Sequence, residues 1–316
     1  MGQGIAPSVR LSRSPMSHFL AISPPPLKAV RTASVAVLLT LSWSWWFPAR
    51  AAAHGAIDEQ IAALTNRIKE DPQYAALYLK RGELHSYHLD LDAAMADYER
   101  AARLDPALAG VDLARGKTLL QAGSFSQANS ALDRFLAKHP AHAEALATRA
   151  RLLVVLGQRL AAAADYTRAI AAAESHGRPN LDYYLERARA LAAEGGAHAA
   201  EALRGLDEGV RRLGPIIPLQ LFAIELELAG QRYDAALARL DSLAAQSPRK
   251  EAWLAHRGDI LAQAGRAVQA RLAYERALAA IESLPARHRT TEATAKLEAQ
   301  IRAALARGTA HGETDR

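Results

Sequence analysis

A 34-residue period in the middle of this chain confines it to folds that stack one unit many times. Gly82 recurs as Gly116 and, as another small residue, Ala150; Ala94 recurs as Ala128 and Ala162. Tyr98 recurs as Leu132 and Tyr166, Ala101 as Phe135 and Ala169, and Pro106 as Pro140. A unit of this kind buries its apolar face only against its neighbours, so the array has no single central core. The apolar residues are spaced for helices: Ile57, Ile61, Leu64 and Ile68 share one face of the segment Ala56 to Glu70. No stretch alternates Val, Ile and Thr at period two, which leaves nothing to build a sheet. The residues are 50% hydrophobic but only 6% aromatic, with alanine supplying much of the difference, as suits helices in close approach.

The formal net charge of +6 belongs to one end. Residues 1–53 hold Arg10, Arg13, Lys28, Arg31 and Arg50 and no acid, so removing these five from 39 basic residues leaves 34 against 33 acidic ones. A nearly neutral body with mixed signs and no basic stripe carries no nucleic-acid footprint. In the leader, Lys28 and Arg31 precede the apolar run Ala33 to Phe47, Pro48 stops it, and Ala49-Arg-Ala-Ala-Ala53 follows. That order is the one of a secretory signal peptide, and the run falls short of the ~20 residues of a membrane span. Cleavage fits after Ala51 or after Ala53, and Met16 is an alternative start. An uncleaved inner-membrane anchor, with Trp43, Trp45 and Trp46 at the interface, is the alternative and the one route to a membrane. The expected location is periplasmic or secreted. With no Cys, disulfides and thiolate metal sites are excluded.

The repeated unit resembles the tetratricopeptide repeat. That family has large residues at positions 4, 7 and 11 of its unit, small ones at 8, 20 and 27, an aromatic at 24 and proline at 32. In residues 75–108, Tyr78, Gly82, Ala94, Tyr98, Ala101 and Pro106 match, whereas Arg81 and His85 depart from positions 7 and 11. Further units fall at 109–142, 143–176, 181–215, 216–248 and 250–284, weakest over 181–248 and sharp again at Trp253, Gly258, Leu261, Gly265, Ala270, Tyr274 and Ala277. The resemblance implies an all-α, right-handed solenoid of antiparallel helix pairs. Residues 54–72 read as a capping half-repeat helix and 290–307 as a C-terminal cap started by Thr290 or Thr291, with 308–316 expected to be disordered.

In that family the concave face is lined mainly by first helices, at positions 2, 5, 9, 12 and 13. Position 9 here reads Glu83, Lys117, Arg151, Arg189, Ile224 and Asp259. Three bases in succession suit an acidic peptide stretch or a terminal carboxylate, with Tyr87, Leu79, Leu113, Leu120, Val154 and Leu185 as an apolar lining. The candidate site is therefore Glu83, Tyr87, Lys117, Arg151 and Arg189, and the expected partner is a protein or peptide. The family's two-carboxylate clamp is missing, because its Lys and Asn positions hold Leu79, Glu83 and Ala114. No phosphate-binding glycine loop, nucleophile elbow or His-Glu-x-x-His is present, so neither an enzyme nor a cofactor is expected. His85 and His88, and His139 and His142, are close pairs lacking a third ligand. The other metal reading rests on His54, which cleavage after Ala53 or Ala51 places at or near a mature N-terminus that chelates copper.

Overall fold

A computed structural model of the protein describes residues 48–312, and the side chains of residues 55–307. The leader as expected over 1–53 lies outside these up to residue 47. Among the described residues there are fifteen helices and no strand. Helix α1 (Pro48–Glu70) is followed by six pairs: α2 (Ala75–Tyr87) with α3 (Leu91–Leu104), α4 (Gly110–Gln121) with α5 (Phe125–Lys138), and α6 (Ala143–Val155) with α7 (Arg159–Ser175). Then come α8 (Leu181–Ala192) with α9 (Gly196–Leu213), α10 (Ile217–Ala229) with α11 (Tyr233–Gln246), and α12 (Glu251–Gln263) with α13 (Ala267–Glu282). A single turn, α14 (Ala286–Arg289), leads into α15 (Glu292–Gly312). The molecule is an all-α solenoid in which consecutive helices pair.

Two ends differ from the sequence reading. Helix α1 starts at Pro48 rather than near Ala56, because proline suits the first helical position and alanines follow it. At the other end Thr291 caps α15, its hydroxyl accepting the Thr294 amide at 3.3 Å, and the helix runs past Gly308 to Gly312. One interior glycine costs about 1 kcal/mol, too little to end a helix by itself. Part of the expected disordered tail is thus helical, and 313–316 lie outside the described residues.

In three of the pairs a glycine on the first helix faces a large residue on the second, and in α8–α9 the order is reversed, with Gly209 against Tyr184. A Cβ on Gly82 would lie 2.7 Å from the Tyr98 ring, on Gly116 2.7 Å from Leu132, and on Gly258 2.4 Å from Tyr274. Tyr98, Leu132 and Tyr166 are almost completely buried there, with Ala94, Ala128 and Ala162 beside them. This packing forms a core that runs along the array in three stretches.

The turn between the helices of a pair always has three residues, whereas the connection from one pair to the next has three to five. Each short turn holds a residue with positive φ: Leu89, Gly123, Gly157, Gly195, Gln231 and Gly265. Five of the six close the same way. The amides of Asp90, Ser124, Gln158, Arg232 and Arg266 donate to carbonyls five residues back, at 2.7–2.9 Å, satisfying helix-end acceptors.

Candidate functional site

The first helices of successive pairs meet one another, α2 with α4, α4 with α6 and α8 with α10, while second helices pack between first helices. The wall available to a partner is the solvent-facing side of α2, α4, α6 and α8. Glu83, Lys117, Arg151 and Arg189 are all exposed on those helices, in that order. Ile224, which stands at the next such position, is 1% exposed and belongs to the core, so the polar row is interrupted at α10.

The three bases are not equivalent. Lys117 reaches across to α6 and pairs with Glu144. Arg189 pairs with Glu186 one turn earlier, at 2.5 Å, and its guanidinium lies 5.9 Å from the Phe222 ring centre. Glu83 is held by Lys80 at 3.2 Å. Arg151 has no carboxylate partner. It sits instead among phenols: its charge acts on Tyr166 and on Tyr183, both buried. The Tyr166 hydroxyl lies near the Arg151 guanidinium but makes no hydrogen bond of normal geometry. Burial pushes its pKa up to about 12, reinforced by Glu186 and opposed by Arg151.

An apolar edge adjoins the polar row. Tyr87, at the end of α2, is 76% exposed, and Val154, Val155 and Leu156 at the end of α6 are 36%, 57% and 43% exposed. Leu113 and Leu185 contribute little to any such lining, being 8% exposed and packed into the core, and Leu79 and Leu120 are half-buried. The structure thus keeps Tyr87 and Val154 at the surface and withdraws the leucines.

What sequence reasoning passed over is a column of arginines at the seventh position of the unit. Arg81, Arg115, Arg149 and Arg187 occupy it, and Arg257 stands likewise just before a small residue, Gly258. Arg81 grips Asp97 with two bonds, 2.8 and 2.7 Å, and Arg149 grips Asp165 at 2.6 and 2.9 Å while also reaching Asp133 of the preceding pair at 2.8 Å. Arg187 bonds Glu208 at 2.6 Å, and Arg257 reaches Asp241 of the preceding pair at 2.5 Å. The aspartate sixteen residues after the arginine was the signal, present at both 97 and 165. These groups serve the scaffold, since both partners lie within the protein.

The histidine pairs have structural partners. His85 and His88 face Asp90 and Asp58 at 3.7 and 3.5 Å, and Phe135 lies between His139 and His142, with ring centres 4.8 and 5.0 Å away. No group of three or more metal-ligating side chains occurs among the described residues. The His54 side chain is outside them.

Residues 185–299 match the family model described as a tetratricopeptide repeat-like domain, which covers the stretch where the repeat was hardest to read. Among solved structures, PilW, a widely conserved type IV pilus biogenesis factor, is 19% identical with a TM-score of 0.51, over 65% of this chain and 94% of its own. A tetratricopeptide repeat protein from Parabacteroides merdae is 17% identical with a TM-score of 0.48, over 80% and 95%. Likenesses at these identities are ones of fold. No match was found among curated protein sequences.

Proposed function

We propose that this tetratricopeptide-repeat protein is a non-enzymatic scaffold that holds a segment of a partner protein against the wall made by its first helices. The observation that carries this reading is Arg151, an exposed guanidinium without a carboxylate partner, set between two charge pairs that are already closed. A cation left open between Lys117–Glu144 and Glu186–Arg189 marks where a foreign carboxylate gains most. The exposed Val154, Val155 and Leu156 beside it offer apolar surface to the residues flanking that acid. The segment that fits is short, carries an acidic residue or a terminal carboxylate, and has an apolar neighbour.

The site of action we propose is the periplasm, supported by the basic residues, apolar run and small residues of positions 28–53. Affinity capture from a periplasmic fraction tests both parts. Arg151→Glu is expected to reduce partner recovery about tenfold or more, because a lost charge contact becomes a repulsion. Lys117→Glu and Arg189→Glu each have a smaller effect, since both bases have partners of their own. Full capture by a folded Arg151→Glu protein sinks the assignment.

A further inference from the structure

A cleft adjoins that wall at one edge of the array. At the edge where one pair hands over to the next, the turns at 139–142 and 176–180 flank a cleft of about 900 Å3. Lys138, His142, Glu144, Arg178, Asn180 and Tyr183 are among the residues that line it.

Folding of these turns uses up acceptors and leaves donors. His142 caps α6, its Nδ1 accepting the Ala145 amide at 3.2 Å, so the neutral ring carries its proton on Nε2. Asn180 caps α8 through Oδ1, which accepts the Asp182 amide at 2.9 Å, and this leaves the amide NH2 to donate elsewhere. The Pro140 carbonyl is taken by Arg168 at 3.0 Å, and that of Ala172 by Ser175 and His176 at 2.8 and 2.7 Å. Glu144 is the sole carboxylate among the lining residues, and it already binds Lys117. Lys138 and Arg178 pair with no carboxylate. The ring of Tyr183 is buried, while its hydroxyl, which no protein group binds, is left to the cleft.

We propose that this cleft is a second binding site, and that its ligand is an acidic polypeptide segment whose carboxylates meet Lys138, Arg178 and the Tyr183 hydroxyl. Two free cations and a free amide group against a single, already paired carboxylate suit a ligand that only accepts, and carboxylates are such groups. The volume is far larger than one oxyanion needs and, in an open cleft, leaves room for a ligand of many atoms. The proposal goes beyond the reading given for Arg151, because Lys138, His142, Arg178 and Asn180 lie off the first helices, and only Glu144 of α6 and Tyr183 of α8 belong to both surfaces.

Fluorescence anisotropy of a labelled oligoglutamate peptide, titrated with the full chain, tests it. The double variant Lys138→Glu/Arg178→Glu is expected to weaken binding about tenfold or more, and Arg151→Glu, whose charge reaches only Tyr183 in the cleft, by clearly less. Tyr183→Phe, which keeps the ring and removes only the hydroxyl, is expected to weaken binding about threefold. Circular dichroism melting checks that each variant is folded. Unchanged binding by the folded double variant overturns the proposal. Loss of binding in Arg151→Glu alone overturns it as well, by placing the peptide on the other wall. Displacement of the peptide by inorganic phosphate at equal concentration makes the site one for a small anion, which also refutes the acidic segment.

Discussion

The distance between the two helices of a pair is decided by single atoms. With Gly258 replaced by alanine, the new methyl would stand 2.4 Å from a Tyr274 ring carbon, a separation that real Cβ atoms do not tolerate. Tyr274 is in turn fixed by its hydrogen bond to Asp259 at 2.7 Å. Gly258→Ala is therefore expected to cost about 1–3 kcal/mol, measured as a shift of the urea midpoint. The buried phenols make a second prediction. Tyr98, Tyr166, Tyr184 and Tyr274 all have their pKa raised, chiefly by burial, and that of Tyr166 reaches about 12 against an ordinary 10.0. The folded protein then holds phenolic protons that the unfolded chain releases, so stability is intact below pH 10 and falls as the pH rises towards 12. Tyr166→Phe should make that alkaline fall shallower while changing stability at pH 7 by less than about 0.5 kcal/mol, since the hydroxyl it removes makes no hydrogen bond of normal geometry. Melting temperatures at a series of pH values check both. Gly82, Ala94 and Tyr98 were readable in the sequence because close approach admits so few residue types. The isolation of Arg151 was not, because it depends on where the flexible side chains of Glu144 and Glu186 end.

The arginine at the seventh position of the unit adds polar ties, within and between pairs, to the apolar packing. Arg149 binds Asp165 within its own pair and Asp133 in the pair before, so one guanidinium spans three helices. The second pair lacks this clamp. Ala131 stands where Asp97 and Asp165 stand in the first and third, and Arg115 is left with a buried Nε that makes no hydrogen bond. Ala131→Asp is expected to complete the clamp and raise stability by about 1 kcal/mol, because a hydrogen-bonded ion pair replaces an unsatisfied donor. In an Arg115→Met background the gain should vanish and become a loss, and a double-mutant cycle by denaturant titration measures the difference. This column was hidden from pattern reading because the family's seventh position is apolar and an arginine there registers only as a mismatch. The turns were legible by halves. Gly123, Gly157 and Gly265 announce a positive φ, whereas Leu89 and Gln231 adopt it as side-chain-bearing residues at about 1–2 kcal/mol each, which no composition rule reveals.

The whole array is stable only if its ends are covered. Ile301 of α15, 2% exposed, closes the apolar surface of α13. Removing residues 290–316 is expected to speed amide exchange in α12 and α13 while leaving α2 to α7 as they were, because each unit depends chiefly on its neighbours. Hydrogen exchange followed by mass spectrometry resolves this, and uniform acceleration across the chain would contradict it. The three-residue turns carry a consequence for how such a molecule can change. Every helix pair is closed by a link of one length, whereas the opposite edge joins pairs by links of three to five residues. Insertions and deletions therefore have one permitted margin, and the cleft between 139–142 and 176–180 opens on it. New specificity can be grown there, loop by loop, with the curvature of the stack left untouched.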